Sequence, residues 1–288
     1  MANNNTILVT GANGQLGKEM QVIANTYPND HFIFVTKDEL SIDNAEAVNN
    51  FFKENHIDFC VNCAAYTAVD KAESEAEKAM LTNATAVGNL ALVCKNFNAT
   101  FIHISTDYVF DGTADMPYKE NHLVSPINMY GATKLKGEQL AQQNNAGSII
   151  IRTSWVYSSF GNNFVKTMLR LTKEREQLNV VSDQQGCPTY AADLAAAIMK
   201  IITDGKVKEH PGIFNYSNSG ITNWHLFASE IRDLSGSKCV VSPIPASQFP
   251  TPAKRPSYSV MDTNKIQQTF NITIPFWKDS LKTCLELL

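Results

Sequence analysis

The sequence predicts an α/β fold, with a doubly wound parallel sheet and a smaller C-terminal lobe. Short apolar runs alternate with helix-like segments through residues 1–153. The runs are apolar at nearly every position, which is typical of parallel strands that helices cover on both faces. A glycine-rich turn follows directly after the first run, at the point where such sheets pass from their first strand into their first helix.

Five strands and four helices are expected in this first part, joined by right-handed crossovers. The predicted strands are 6–10, 31–35, 58–62, 100–105 and 148–152. The predicted helices are 14–24, 43–55 with Asp43 as a possible N-cap, a long alanine-rich helix 70–96, and 127–143.

The pattern loosens after Thr153. Helices are expected at 163–173, 191–203 and 223–234, strands at 178–181 and 212–216, and an ordered proline-rich loop at 243–256. We therefore predict a Rossmann-type dinucleotide-binding domain over 1–153, completed by some later segments, and a mainly substrate-binding lobe over 154–288.

Composition argues against several functional classes. The 288 residues carry a formal net charge of -4, which does not suit nucleic-acid binding. No apolar run approaches the roughly 18 residues that span a membrane, and the polar start 1–5 is unlike a secretory signal. The six cysteines indicate a reducing compartment, so we expect a cytoplasmic protein. Cys60 and Cys63 form C-x-x-C, but they lie in an apolar run without a second ligand pair, so we predict packing and no metal.

A glycine motif joins the first predicted strand to the first helix. Glycine permits a tight turn and lets the backbone approach a pyrophosphate, while the helix N-terminus offers N–H groups and partial positive charge. The position between a strand and a helix makes the motif specific. It predicts a dinucleotide site that contains Gly11, Asn13, Gly14, Gln15, Leu16 and Gly17.

The end of the second predicted strand bears on the choice between NAD and NADP. An acidic side chain there holds the ribose hydroxyls of NAD, whereas a basic one accommodates the 2′-phosphate of NADP. The chain has Thr36 and Lys37, followed by Asp38. Thr36 and Lys37 favour NADPH, while Asp38 leaves NADH possible.

Tyr130 and Lys134 lie four residues apart and therefore on one face of a predicted helix. A nearby ammonium lowers the pKa of a tyrosine, so such a pair can exchange a proton with a carbonyl oxygen. By chance alone, this pair is common on surfaces. Thr106 strengthens the case, because it follows the fourth strand, where parallel sheets bind ligands, and its hydroxyl can polarise a carbonyl.

These motifs resemble the extended short-chain dehydrogenase/reductase family. Longer stretches are similar to its dTDP-4-dehydrorhamnose reductase branch over nearly the whole chain, namely residues 62–73, 105–112, 152–157, 161–164 and 183–189. The resemblance implies that NADPH or NADH reduces the 4-keto group of the nucleotide sugar dTDP-4-dehydro-L-rhamnose. It implies catalytic roles for Thr106, Tyr130 and Lys134, substrate contacts for Asp107 and Trp155, and cofactor contacts for Ala64, Ala65 and Tyr66 in addition to Tyr130 and Lys134.

The chain departs from the family pattern at two places. Ser41 stands where an acid is expected on the adenine side. Some members pair through magnesium held by glutamates, and Glu19 fits one such position, but Ala192 stands at the other. We therefore expect no metal, and either a monomer or a homodimer.

Three other functions share these motifs. A nucleotide-sugar dehydratase carries a glutamate directly after the Thr-Asp pair, where this chain has Tyr108, so reduction is favoured. An epimerase uses the same tyrosine and lysine and stays open. A non-catalytic, NADP-binding regulatory subunit, like that of methionine adenosyltransferase, is the alternative from a different functional class.

Overall fold

A computed structural model describes residues 4–288, so the first three residues of the polar start lie outside the described part. The strands, in chain order, are β1 Thr6–Thr10, β2 His31–Val35, β3 Phe59–Asn62, β4 Thr100–Thr106, β5 Ile149–Thr153, β6 Val156–Tyr157, β7 Gln177–Val181, β8 Gln185–Gly186, β9 Thr189–Tyr190, β10 Gly212–Asn215, β11 Thr222–Asn223 and β12 Val240–Ile244. The helices are α1 Gln15–Ala24, α2 Ala45–Glu54, α3 Val69–Ala72, α4 Ala76–Met80, α5 Ala86–Asn96, α6 Met129–Asn144, α7 Phe164–Glu174, α8 Ala191–Thr203, α9 Trp224–Leu234, α10 Asn264–Phe270 and α11 Trp277–Leu285.

Six parallel strands form the main sheet, in the order β2-β1-β3-β4-β5-β10. Successive residues of β1 point to opposite faces, so Ile7 and Val9 enter one core and Leu8 enters the other. The first core is completed by α1, α8 and α10, and the second by α2, α5 and α6. The predicted α/β fold with a doubly wound parallel sheet is confirmed.

The strand order places a ligand-binding crevice. From β1 the chain crosses to β2 on one side, and β3 then pairs with the other side of β1. The loops after β1 and β3 therefore diverge at a topological switch point, where open α/β sheets bind ligands beyond the carboxyl ends of their strands.

The predicted long helix 70–96 is wrong, because it is interrupted after α3 and contains a π-helical turn at Leu81–Thr85. The buried side chain of Asn83 lies in that turn and bonds the backbone of Tyr66 at both its N–H and its C=O, at 2.8 and 3.0 Å. The turn thus holds the loop after β3, and π-helical turns are frequent at functional sites.

Two smaller predictions also differ from the structure. The N-cap of α2 is Asn44 rather than Asp43, because the Asn44 side chain accepts from the N–H of Ala47 at 3.0 Å. The proline-rich segment begins as a strand, since Pro243 and Ile244 end β12, which pairs with β7. Pro243 is tolerated there because β12 has β7 as its only partner in the described sheets and so lies at an edge.

The C-terminal half contributes to two regions of the molecule. Strand β10 and helices α8 and α10 complete the main sheet and its first core. The remaining segments form short two-stranded sheets around a separate core of α7, α9 and α11. A domain boundary near residue 153 stays a prediction. Within residues 4–288, every helix is too short or too polar to cross a bilayer.

Candidate active site

A cleft of about 820 Å³ opens at the carboxyl ends of the central strands. It is bounded by the turn after β1, the loops after β2, β3 and β4, the start of α6, and two tryptophans. The structure brings nearly all predicted site residues to this one cleft: Gly11, Asn13, Gly14, Gln15, Leu16, Thr36, Lys37, Ala64, Ala65, Tyr66, Thr106, Asp107, Tyr130, Lys134 and Trp155. Gly17 is the exception, because it is buried in α1 behind the turn.

The glycine turn after β1 leaves no room for side chains at two of its positions. Gly11 has φ of +67°, and a Cβ on it would lie 2.6 Å from the backbone nitrogen of Ala64. A Cβ on Gly17 would collide with the carbonyl oxygen of Gly11. Gly11 therefore permits the turn itself, whereas Gly17 permits the turn to pack on α1.

The N-terminus of α1 is available to an anion. Its N-cap is Gly14, no side chain caps it, and its first turn holds no acidic residue. The backbone N–H groups at Gln15 and Leu16 are therefore not covered by a side-chain acceptor, and the helix dipole adds positive potential there. This narrow, positive turn fits the pyrophosphate of a dinucleotide.

Some of the polar groups in the loop after β2 already form hydrogen bonds or ion pairs within the protein. Both the N–H and the hydroxyl of Thr36 donate to Glu39, each at 2.8 Å. Lys37 pairs with Asp43 at 3.2 Å, but its side chain is 72 % exposed and therefore free to turn towards a ligand. Asp43 also lines the cleft, and its Oδ1 is buried without a hydrogen-bond partner among the described residues. Lys37 and Asp43 thus offer one basic and one acidic group at this end.

Tyr130 lies in the first turn of α6, which begins after the N-cap Asn128. Its ring contacts that of Tyr108 edge to face, with centroids 5.8 Å apart. Burial raises the pKa of Tyr130 to about 12, against a smaller lowering by the neighbouring Thr106 hydroxyl. The expectation that Lys134 lowers this pKa is wrong for the arrangement seen here, because burial dominates.

Lys134 is turned into the protein. Its Nζ donates to the carbonyl oxygen of Ile104 at 2.6 Å and lies 3.3 Å from His103 Nε2. Burial lowers the pKa of Lys134 to about 8, although the carboxylate of Glu138 acts in the opposite direction. Lys134 is therefore buried beneath the cleft floor, and Tyr130 is half-buried at the floor itself.

Thr106 and Asp107 lie at the edge of the cleft floor, beside Tyr130. Thr106 Oγ1 donates to Asp107 Oδ1 at 3.0 Å and accepts from the N–H of Tyr108 at 3.2 Å. Burial raises the pKa of Asp107 to about 7. The Thr106 hydroxyl has one proton, so it donates either to Asp107 or to a ligand oxygen, and not to both.

Trp155 stacks on Trp224 across the cleft, with ring centroids 3.6 Å apart and planes within 10°. Trp155 has φ of +48°, which is strained for a bulky side chain, and strain of this kind is found at functional sites. Trp224 was not predicted, and neither were His103 and Asn83. A signal existed only for His103, which is polar within the apolar strand β4.

The surroundings of the six cysteines and of Glu19 indicate structural roles for these residues. All six thiols are unpaired, and burial raises the pKa of Cys63, which keeps it protonated. Glu19 is buried and accepts from the Ser158 hydroxyl at 2.6 Å, so it is not placed to hold an ion at a surface. In the described range, His, Cys, Asp and Glu form no cluster of three that could bind a metal.

Comparison with known proteins identifies the family. The family described as "RmlD substrate binding domain" matches residues 5–288. The chain belongs to this family. A dTDP-4-dehydrorhamnose reductase of Salmonella typhimurium is 40 % identical, covering 97 % of this chain and 96 % of the relative. A spore coat polysaccharide biosynthesis protein of Bacillus subtilis is 39 % identical, with coverage of 97 % and 96 %.

Solved structures of family members share the fold throughout. A dTDP-4-dehydrorhamnose reductase from Clostridium acetobutylicum has a TM-score of 0.93 and 43 % identity, covering 98 % of this chain and 99 % of its own. The reductase of Bacillus anthracis, in complex with NADP, also has a TM-score of 0.93, with 38 % identity and coverage of 99 % and 100 %. The resemblance found in the sequence is therefore confirmed.

Proposed function

We propose that this chain reduces the 4-keto group of dTDP-4-dehydro-L-rhamnose with NADPH, in the synthesis of dTDP-L-rhamnose for cell-surface polysaccharide. One observation carries the proposal: Thr106, Tyr130 and Lys134 line the same cleft as the glycine turn. The names of relatives that match nearly the whole chain agree with the activity expected from the sequence. A family structure in complex with NADP agrees with the expected cofactor.

The residues present fit a dinucleotide. The turn at Gly11 and the uncapped start of α1 would hold the pyrophosphate, and Lys37 would contact a 2′-phosphate. The loop of Ala64, Ala65 and Tyr66 would cover the cofactor from β3. When bound, NADPH supplies the hydride, and the chain has to position the ketone and provide the proton.

The proton comes from Tyr130 in this proposal. Burial keeps its phenol protonated, as a donor to the carbonyl oxygen requires. The Thr106 hydroxyl, turned from Asp107 to the same oxygen, would stabilise the negative charge that develops there. Lys134, which is buried beneath the floor of the cleft, would support Tyr130 in this role. Trp155 and Trp224 would exclude water from the sugar.

The alternatives lack a necessary group or a supporting observation. A dehydratase needs a base where Tyr108 stands, and desolvation raises the pKa of the Tyr108 phenol, which makes it a poor base. A non-catalytic subunit would have no need to retain Thr106, Tyr130 and Lys134 together. Our proposal also includes a cytoplasmic location and a monomer or homodimer as the working form.

The test follows NADPH absorbance with the dTDP-linked 4-keto sugar, and then repeats the assay with NADH. We expect steady oxidation of NADPH and a product that is the 4-hydroxy sugar nucleotide, with weaker use of NADH. Binding of NADPH without turnover under any condition would favour the regulatory subunit instead. Inversion of the C4 hydroxyl of a dTDP-linked 4-hydroxy sugar, with oxidised cofactor and without its net consumption, would favour an epimerase.

A further inference from the structure

A buried series of side chains runs from β1 to the cleft. Thr10 Oγ1 donates to Asn62 Oδ1 at 2.6 Å, and Asn62 Nδ2 lies 3.1 Å from His103 Nδ1. The other ring nitrogen of His103 lies 3.3 Å from Lys134 Nζ. All four side chains are at most 1 % exposed. Buried polar groups need partners, so each donor in this series has to face an acceptor.

The orientation of Asn62 is fixed by two donors. The Thr10 hydroxyl and the backbone N–H of Ala64 both point to Asn62 Oδ1, the latter at 3.2 Å. Turning the amide would place its NH2 group against the N–H of Ala64. Asn62 therefore donates through Nδ2, and His103 Nδ1 is the acceptor. Burial lowers the pKa of His103, so the ring is neutral and carries its proton on Nε2.

That proton faces Lys134. An ammonium group has three N–H bonds and no lone pair, so it would meet the N–H of His103 as a second donor. A neutral amine accepts from His103 through its lone pair and still donates to the carbonyl oxygen of Ile104. If Lys134 is protonated to the ammonium, one hydrogen bond of this series is therefore lost. It is either the bond between Lys134 and His103 or the bond between His103 and Asn62.

The other titratable groups facing Lys134 do not reverse this preference. Burial raises the pKa of both Cys63 and Tyr130, so each is neutral in the mildly alkaline range. Glu138 is the one carboxylate among them, and its two oxygens are held by Arg152 at 2.9 and 2.7 Å.

We infer that His103, in the tautomer that Asn62 imposes, is a positioning residue that holds Lys134 as a neutral amine at mildly alkaline pH in the unliganded protein, and that a bound dinucleotide converts Lys134 to the ammonium. The role of His103 rests on the hydrogen-bond geometry and on the neutral state of the buried ring. The second half also rests on the proposed function, because the phosphates of a dinucleotide bring negative charge into the cleft, and negative charge favours an ammonium. Cofactor binding at mildly alkaline pH would then be linked to proton uptake.

The direct test is an NMR titration of the unliganded chain with lysine isotope-labelled at Cε. The Lys134 signal is assigned by its loss in Lys134→Arg. We expect a titration midpoint at or below about pH 8, well under the roughly 10.4 of an ordinary lysine. A Lys134 midpoint in the range of the exposed lysines would overturn the inference, and this measurement needs neither cofactor nor activity.

Two substitutions test the role of His103 itself. In His103→Gln the side-chain oxygen can turn to Lys134, and in Asn62→Asp the carboxylate moves the ring proton to Nδ1. Both changes offer Lys134 an acceptor, so each should raise its midpoint by about one pH unit or more. His56→Gln, the same substitution at an exposed site, should leave the midpoint unchanged. An unshifted midpoint in whichever of the two variants folds would contradict the role given to His103.

The part of the inference that concerns the dinucleotide is tested by repeating the wild-type titration with saturating NADPH, whose nicotinamide ring is neutral, so that the phosphates supply the added charge. The Lys134 midpoint should rise, and calorimetry in two buffers of different ionisation enthalpy should show proton uptake at pH 8. NADPH that binds without moving the midpoint would refute the linkage. Failure of NADPH to bind would instead count against the proposed function, while the unliganded titration still decides the role of His103.

Discussion

Gly11 and Ala64 bring the turn after β1 and the loop after β3 into direct backbone contact. A Cβ added to Gly11 would lie 2.6 Å from Ala64 N and 2.8 Å from Ala64 Cα. Both atoms belong to the main chain, so no side-chain rotation relieves the overlap. The same contact joins the two loops that flank the switch point of the sheet, and the cleft depends on it.

Gly11→Ala should therefore impair both folding and cofactor binding. The variant combines an unfavourable φ with a backbone clash, so we expect a loss of about 2–4 kcal/mol in the free energy of unfolding. NADPH affinity should fall at least tenfold, because the turn has to open. Chemical denaturation and fluorescence titration measure the two effects.

Gly205→Ala is the matched control for this substitution. Gly205 also has a positive φ, of +74°, but a Cβ there would meet no atom within 4 Å. It should cost only about 1 kcal/mol and leave NADPH affinity unchanged. Equal effects of the two substitutions would show that φ alone, and not the contact with Ala64, makes Gly11 necessary.

Tyr130→Phe should keep NADPH binding while losing most turnover. The phenylalanine ring preserves the edge-to-face contact with Tyr108 and removes only the hydroxyl. Loss of a general acid lowers kcat by about 10²–10⁴-fold. Stopped-flow measurement of NADPH oxidation gives the rate, and Tyr27→Phe is a control outside the cleft. A variant that fails to bind NADPH would mean that Tyr130 is structural.

Lys37→Ala should reduce the preference for NADPH over NADH. The exposed Lys37 side chain can leave Asp43 for a 2′-phosphate, and NADH has no such group. A single exposed charge contact is worth about 1 kcal/mol, so NADPH affinity should fall about fivefold while NADH affinity stays constant. Lys53→Ala, on α2, serves as the control. Equal losses for both cofactors would remove Lys37 from the recognition of the 2′-phosphate.

Much of the fold was predictable because its strands are buried on both faces. Each of the first five strands is an apolar run, and the structure places their ends within one residue of the predicted ones. Helix α8 occupies the predicted range 191–203. The π-helical turn within 70–96 was not predictable, because it depends on the contact between the Asn83 side chain and the backbone of Tyr66.

The candidate site, like the fold, was predictable from the sequence only in part. The glycine turn, Thr106 and the Tyr130–Lys134 pair are short motifs, so the sequence displays them. The partners of Lys134 come from β4, and Trp224 comes from α9 to stack on Trp155. Contacts between distant segments have no signature in one sequence, and burial, which raises the pKa of Tyr130, exists only in the folded chain.

The buried pair of Arg152 and Glu138 should matter for stability. Arg152 donates to both carboxylate oxygens, and Ser105 adds a third bond at 2.5 Å. Glu138→Leu leaves a buried, unpaired guanidinium and should cost about 3–5 kcal/mol in urea unfolding. The double variant with Arg152→Met should recover part of that loss. Glu174→Leu, which breaks the exposed pair with Arg170, should cost less than about 1 kcal/mol.

Asp107 should make the stability of the protein depend on pH. Burial raises its pKa to about 7 in the folded chain, from 3.8 when exposed. The fold thus favours the protonated acid, and its favourable contribution is full below about pH 4 and is lost as the pH rises to about 7. The groups beside it, Tyr108, Tyr130 and Cys187, all have raised pKa values and add no titration in this range.

Asp107→Asn replaces the titrating acid by a neutral group of the same shape. The stability of the variant relative to wild type should therefore rise between about pH 4 and pH 7 and then stay level. The gain should be on the order of 2–4 kcal/mol by pH 8. Urea unfolding at several pH values measures it, with Asp115→Asn, an exposed aspartate, as the control. A constant difference between variant and wild type across this range would show that Asp107 is ionised in the folded protein, and that the Thr106 hydroxyl is bound to a carboxylate throughout.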